Sequence, residues 1–187
     1  MNNVNLVRLS FLATALLSSV ALADNAMTMR AEAADPWLGS LSWKMPTSTS
    51  NLSSDVLRRG NEFRWKFTPF GTINNYGNLE SVAFPGYCLK ASGSRPGSGV
   101  ILATCDFKGN DKAQVWISSL ERKHDSRGWY SFKPFAYFST NMCMQGTNAP
   151  SPITLQDCNN PPGPNQVWSV FNELQGIFMT DVTAFSR

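Results

Sequence analysis

Residues 87–116 read YCLKASGSRPGSGVILATCDFKGNDKAQVW, and residues 142–168 read MCMQGTNAPSPITLQDCNNPPGPNQVW. Both stretches carry a Cys followed by an apolar residue, a run rich in β-forming residues, a second Cys, and a closing Gln-x-Trp. The matching positions lie 52 to 55 residues apart. A repeat of about 50 residues indicates an architecture built from similar units packed side by side.

A further copy is expected upstream, because Trp65 lies 51 residues before Trp116. This copy has no Cys, and Phe63 stands where the Gln is expected. Two interpretations are open: a degenerate first unit, or a Trp that recurs at this interval by chance. Our working prediction is three units, the first of them degenerate.

The repeated segments are predicted to be short strands. Runs such as Val100–Thr104, Val115–Leu120 and Ile153–Gln156 are rich in β-branched and aromatic residues and are bounded by Gly, Pro, Asn and Asp. The sequence Pro161-Pro162-Gly163-Pro164 excludes a helix before Trp168. The predicted fold class is all-β.

The Gln-x-Trp motifs are interpreted as structural. On a strand, Gln114 and Trp116 point to one side, so the Trp fills a shared core while the Gln amide binds backbone groups of a turn. Three buried Trp side chains would each remove about 150–250 Å² from water. The predicted core residues are Gln114, Trp116, Gln166, Trp168 and Trp65.

Two disulfides are predicted for the four cysteines, Cys88, Cys105, Cys143 and Cys158, because their count is even and the predicted export signal described below places them where thiols oxidise. Four cysteines allow three pairings. If each repeat is a self-similar unit, Cys88 pairs with Cys105 and Cys143 with Cys158, closing loops of 18 and 16 residues. Each closure is expected to contribute about 3 kcal/mol.

The chain begins with a predicted signal peptide, residues 1–23, which has Arg8, the apolar run Leu9–Leu22 and a small-x-small cleavage site before Asp24. No Cys precedes Cys88, so the protein is not expected to be a lipoprotein. It is expected to be secreted, in the periplasm or outside the cell. Residues 24–36 are predicted to be a flexible arm, residues 37–172 the domain and residues 173–187 a tail.

Charge and titratable residues argue against nucleic-acid binding and catalysis. The formal net charge is only +3, without the clustered Lys and Arg of a nucleic-acid interface. The single His, His124, lies in a polar stretch, and the acidic residues are scattered on predicted turns. We therefore expect no catalytic residues, no metal site, no cofactor and no nucleic-acid partner.

The repeated pattern of two cysteines and Gln-x-Trp resembles the ricin-B (R-type) lectin family, whose fold is a β-trefoil with shallow sugar sites. Members that bind galactose usually carry an Asp two positions after the first Cys, where this chain has Lys90 and Gln145. Asn165 matches the family's Asn-Gln-x-Trp, whereas Ala113 does not. The resemblance therefore implies a doubtful sugar site in the second unit and a weakened one in the third.

A narrower resemblance is to subunits A and C of bacterial cytolethal distending toxin. It is carried by Trp37-Leu38-Gly39, Arg64-Trp65-Lys66-Phe67, both cysteine pairs and Thr154-Leu155-Gln156-Asp157-Cys158. The choice between A and C stays open, because the missing lipidation Cys suits C and Trp37-Leu38-Gly39 suits A. The resemblance implies a non-catalytic delivery subunit whose partners are a nuclease subunit, a second lectin-like subunit and a host cell-surface glycan or lipid. The alternative is a free-standing secreted R-type lectin.

Four aromatic residues are candidates for ligand or partner binding: Trp37, Trp43, Phe67 and Phe70. They line an exposed apolar patch on one interpretation, and on the other they fill the core of the degenerate first unit. Gln145 and Asn165 complete the candidate binding residues.

Overall fold

The computed structural model describes residues 27–31, 41–44, 52–56, 61–70, 73–124, 127–146, 151–172 and 177–178. The predicted signal peptide, residues 1–23, lies outside these ranges, and so does Trp37. The described ranges form antiparallel strands, joined by turns and by short 3-10 segments at Asn61–Phe63, Lys112–Gln114 and Phe135–Thr140. Within them, no helix has the length and apolar character needed to cross a membrane.

The strands fall into two units of four and a third unit of five, one of which has only two residues, and a short final strand follows. The first unit contains β1 (Met27–Ala31), β2 (Leu41–Lys44), β3 (Ser53–Val56) and β4 (Trp65–Phe70). The second contains β5 (Ile73–Ser81), β6 (Tyr87–Ala91), β7 (Val100–Thr104) and β8 (Trp116–His124). The third contains β9 (Arg127–Pro134), β10 (Met142–Gln145), the two-residue β11 (Ser151–Pro152), β12 (Thr154–Asp157) and β13 (Trp168–Asn172), and β14 (Ile177–Phe178) follows it.

The first and last strands of the three units close into a ring. The antiparallel pairs run β1–β4, β4–β5, β5–β8, β8–β9, β9–β13 and β13–β1, so that each of the six strands has two neighbours. The two middle strands of each unit form a hairpin, β2–β3, β6–β7 and β10–β12. This is the topology of a β-trefoil, so the predicted fold class is confirmed. The first unit is degenerate in its motif but has all four strands.

The core is a single cluster at the centre of the three units. Trp65, Trp116 and Trp168 begin β4, β8 and β13, and each is 0% exposed. The Trp116 indole Nε1–H donates to the Leu89 carbonyl at 2.9 Å, which satisfies its one polar group inside the core. Phe63, which replaces the motif Gln in the first unit, is also buried, so an apolar side chain occupies the position of the amide.

The predicted N-terminal boundary is wrong. Residues 24–36 were expected to form a flexible arm, but Met27–Ala31 is a strand that pairs with β13 over five residues, and Met29 lies in the core. The closed ring requires this strand, because without it β4 and β13 would each lose a neighbour. The domain therefore extends beyond the predicted 37–172, and β14 shows that the predicted tail, 173–187, also contributes a pairing to β13.

The two motif glutamines lie in turns and not on strands, which corrects the predicted strand position. Gln114 ends the 3-10 segment Lys112–Gln114, whose first N–H groups are capped when the Asp111 carboxylate accepts from the Ala113 N–H at 3.1 Å. Gln166 closes a turn in which its own N–H donates to the Gly163 carbonyl at 2.8 Å. The strands begin at the Trp of each motif.

Candidate functional site

The turn before β13 is organised around the amide of Gln166. This side chain is 1% exposed, and its Nε2 donates to the Asp157 carbonyl at 2.7 Å and to Gln145 Oε1 at 3.0 Å. Its Oε1 accepts from the Asn159 N–H at 2.9 Å. Gln166 thus ties the end of β12 to the end of β10 and fixes the position of the Gln145 side chain.

The second unit repeats this arrangement with different neighbours. Gln114 Nε2 donates to the Thr104 carbonyl at 2.9 Å, and Gln114 Oε1 accepts from the Asp106 N–H at 2.9 Å. The third contact, however, goes to Asp111 Oδ2 at 3.3 Å instead of to a strand residue. Both glutamines therefore bind turn backbone groups as predicted. The two units differ in the third contact of the amide, which Nε2 makes to Asp111 in the second unit and to Gln145 in the third.

The β6–β7 and β10–β12 hairpins each carry a disulfide next to the turn that contains the motif Gln. Cys88 is bonded to Cys105 and Cys143 to Cys158, with sequence separations of 17 and 15. These are the local pairs that the repeat predicts. Each bridge links the hairpin's first strand to the turn that its motif Gln organises. Two disulfides also indicate an oxidising compartment.

The third hairpin presents a polar face. Gln145 lies opposite Thr154 across β10–β12, and residues directly opposite in an antiparallel pair point to the same side. Gln156 lies two residues beyond Thr154 on that side, and its Nε2 donates to Thr154 Oγ1 at 3.2 Å. All three side chains are partly exposed, whereas Met144 and Leu155, on the other side, are fully buried. We call Gln145, Thr154 and Gln156 the third-unit polar face.

Asn165 lies beside this face. The Gly146 N–H, directly after Gln145, donates to the Asn165 carbonyl at 3.0 Å, and the Asn165 residue is exposed. A Cβ at Gly146 would lie 2.6 Å from Cη2 of the Trp168 ring, so the chain needs a glycine where it passes this ring. The predicted pair Gln145 and Asn165 is therefore brought together in the structure.

The second hairpin has a different surface at the same positions. Lys90 pairs with Ile101 across β6–β7, and Ala103 lies two residues beyond Ile101. The Lys90 ammonium forms an ion pair with Asp111 Oδ2 at 2.8 Å. This hydrogen bond from Lys90 is the main cause that lowers the pKa of Asp111. The second unit therefore offers apolar side chains and a neutralised ion pair where the third unit offers neutral amides and a hydroxyl.

The loop after Cys105 is held by a second carboxylate. Asp106 Oδ1 accepts from the Lys108 N–H at 3.0 Å, and Asp106 Oδ2 accepts from the Asp111 N–H at 2.5 Å. The bond from the Asp111 N–H is the main cause that lowers the pKa of Asp106. This carboxylate fixes the loop backbone, and so places Asp111 within reach of Lys90.

Family comparison then identifies the group to which these features belong. The model of the ricin-type β-trefoil lectin domain matches residues 75–181. The chain belongs to this family. The match begins within β5 and extends beyond β14, so it reaches into the predicted tail. A comparison with curated proteins finds no match.

Several solved structures share the fold of this chain. A designed threefold-symmetric protein, ThreeFoil, superposes with a TM-score of 0.61 at 17% identity, covering 79% of this chain and 98% of that one. A ricin B-like lectin of Macrolepiota procera, solved in complex with lactose, gives 0.58 at 14% identity, covering 79% and 95%. A mosquitocidal holotoxin gives 0.60 at 15% identity, covering 80% of this chain but 16% of the toxin. At these identities the likeness shows the fold alone.

Within this lectin domain, the structure describes the side chains of two of the four aromatic candidates, Phe67 and Phe70. Phe67 is 7% exposed and belongs to the core cluster, which agrees with the interpretation that this ring fills the core of the first unit. Phe70 is partly exposed and lines a groove described below. Trp37, and the side chain of Trp43, lie outside the described residues.

Three residues of the candidate sites described above, Thr154, Gln156 and Asp111, are not among the site residues predicted from the sequence. Thr154 and Gln156 can be found from period-2 alternation, because buried Ile153 and Leu155 place them on the opposite side. Asp111 has no such signal, since its pairing with Lys90 depends on the conformation of the loop between β7 and β8.

Proposed function

We propose that this chain is a non-catalytic carbohydrate-binding protein whose sugar site is the third-unit polar face together with Asn165. The observation that supports it is the contrast between two equivalent hairpins. One presents Gln145, Thr154 and Gln156, while the other presents apolar side chains and an ion pair.

The chemistry of this face fits the hydroxyl groups of a sugar. A sugar hydroxyl both donates and accepts hydrogen bonds, and amide and hydroxyl side chains do the same. Gln145 is held in place by the buried Gln166, so little side-chain freedom is lost when a ligand binds. Neutral groups on a shallow surface give modest affinity, because hydrogen bonds to charged groups are about twice as strong.

A glycan array with paired variants tests this site. The third unit is given the second unit's residues by Gln145→Lys, Thr154→Ile and Gln156→Ala in one variant. The matched control is Lys90→Gln, which changes the equivalent position of the second unit. We expect the wild type and the control to bind the same neutral sugar and the triple variant to lose it. Equal binding by the triple variant, or no sugar bound by the wild type, would contradict the proposal.

We further propose that the chain acts as a delivery subunit of a secreted bacterial tripartite toxin similar to cytolethal distending toxin. In this role it would attach to the host cell surface and carry a nuclease subunit together with a second lectin-like subunit. Support comes from the resemblance to subunits A and C, from the family match, and from the presence of a similar domain in a mosquitocidal holotoxin. Export through the signal peptide at residues 1–23 is part of this proposal.

Co-purification tests the delivery role. The full chain, expressed with the genes on either side of its own, should elute with a nuclease subunit and a second trefoil protein in one complex. A gene without such neighbours, or a chain that elutes alone beside them, counts against this role.

The alternative function is a free-standing secreted R-type lectin. The intact polar face of the third unit favours it, because a chain used only as a scaffold would not require that face. A defined sugar on the array together with the absence of partner subunits would support the lectin, whereas a stable complex with a nuclease would support delivery.

A further inference from the structure

A groove lies where the ends of several elements meet, and none of its lining residues belongs to the third-unit polar face. It is a groove of about 360 Å³. Its lining residues are Phe70, Tyr76, Lys108, Gly109, Lys112, Val115 and Phe135. They come from β4, β5, the loop between β7 and β8, and the 3-10 segment Phe135–Thr140, so all three units contribute. Small-molecule sites occupy clefts of about 300–1,000 Å³, and this groove is at the size suited to a single ring.

The floor of the groove is aromatic and positioned by packing. Tyr76 and Phe135 contact each other edge to face, with ring centroids 5.7 Å apart and an interplanar angle of 68°. The Phe70 ring lies against Gly109, where an added Cβ would be 3.3 Å from the ring. Gly109 also has a positive φ of 71°, so the loop needs a glycine at this point both for its turn and for the approach of the ring.

Two lysines give the groove its charge. The Lys112 ammonium lies 5.6 Å from the centroid of the Phe135 ring, and Lys108 lines the same groove from the loop. Among the residues that the structure describes, neither ammonium has a carboxylate within ion-pair distance. The two acids nearest in sequence are engaged elsewhere, because Asp111 pairs with Lys90 and Asp106 accepts backbone N–H groups of the loop.

An occupant of this groove should combine an anionic group with an apolar face. The lysines favour the anion, and the negative faces of the aromatic rings attract the C–H bonds on one face of a pyranose. We propose that the groove binds an acidic sugar, with its carboxylate at Lys108 and Lys112 and its ring against Phe135 and Tyr76. This site shares no residue with the third-unit polar face, so it does not depend on the proposed function.

Matched probes and variants test the site by isothermal titration of the full secreted chain. The probes are methyl β-D-glucuronide and methyl β-D-glucoside, which differ only at C6, a carboxylate in the first and a hydroxymethyl group in the second. We expect the glucuronide to bind about tenfold more tightly than the glucoside, and more weakly as salt is raised. Lys108→Gln with Lys112→Gln should remove that difference, whereas Lys123→Gln, at an exposed lysine outside the groove, should leave it unchanged.

The aromatic part is tested with the same probes. Phe135→Ala should weaken both sugars by a similar factor, whereas Phe138→Ala, at a 60% exposed ring in the same 3-10 segment, should not. The proposal is overturned if the glucuronide binds no better than the glucoside, if the double lysine variant keeps the preference, or if Lys123→Gln removes it. A chain that binds a neutral sugar through Gln145 but not the glucuronide would retain the proposed function and lose only this second site.

Discussion

Replacing Gln166 with Leu should destabilise the domain more than any other single exchange of a Gln in the third unit. The Leu has similar volume and suits a buried site, but it cannot bond the Asp157 carbonyl, the Asn159 N–H or the Gln145 side chain. These groups lose their partner at a position that is 1% exposed. The change therefore isolates the polar role of the motif from its packing.

The magnitude follows from the number of bonds lost. Each hydrogen bond contributes about 0.5–1.5 kcal/mol net, and a buried group left unsatisfied costs about 1–3 kcal/mol. Because the Asp157 and Asn159 residues are themselves exposed, water can replace part of the loss. We expect the free energy of unfolding to fall by about 2–4 kcal/mol, which corresponds to a decrease in Tm of about 4–16 °C for a domain of this size.

Urea unfolding followed by tryptophan fluorescence, with both disulfides intact, measures this change. The matched control is Gln156→Leu, because Gln156 is partly exposed and makes one side-chain bond, to Thr154. The control should lose less than about 1 kcal/mol. If Gln166→Leu is no more destabilising than Gln156→Leu, the amide does not hold the turn, and the reasoning about the motif is refuted.

Three further changes have separate readouts. Cys88→Ala with Cys105→Ala should lower the free energy of unfolding by about 3 kcal/mol, measured in urea without reductant, and a loss below about 1 kcal/mol would contradict the loop-closure argument. Asp111→Asn should lower Tm only at pH values where the Asp111 carboxyl is ionised. Because folding lowers the pKa of Asp111, its carboxylate stabilises the fold above the ordinary pKa of 3.8. The difference in Tm between variant and wild type should therefore shrink as the pH falls below 3.8. A gap that does not change with pH would mean that the ion pair with Lys90 contributes nothing. Met29→Ala should lower the free energy of unfolding by about 2–5 kcal/mol in the same urea assay. A variant as stable as wild type would instead support the prediction that residues 24–36 form a flexible arm.

The repeated motif made most of the fold predictable. Cysteines, Gln-x-Trp and strand runs recur at one interval. The motif residues that contact one another lie within about 30 residues of chain, so the sequence pattern alone predicts their contacts. The first strand was not predicted from the sequence, because it pairs with a distant segment, Met27 with Asn172, and because its unit lacks both cysteines and the Gln. Alternation of Met27, Met29 and Ala31 with Thr28 and Arg30 was the signal that could have identified it.

The candidate sites were less predictable, because they depend on loop conformation. Gln145 and Asn165 could be named from their distance to the motif cysteine and Gln. The ion pair between Lys90 and Asp111, however, exists because Asp106 folds the intervening loop, and no spacing rule gives that result. The groove draws on elements far apart in the chain, so its lysines and rings carry no shared sequence pattern.

The most direct test of the central claim maps where a neutral sugar binds. The sugar identified on the array is titrated into the ¹⁵N-labelled chain, and amide shifts are followed by NMR. We expect the largest shifts at Cys143–Gly146, Thr154–Asp157 and Asn165, with little change at Lys90, Ile101 or Ala103. Shifts centred on the second hairpin, with the third unchanged, would contradict the assignment of the sugar site.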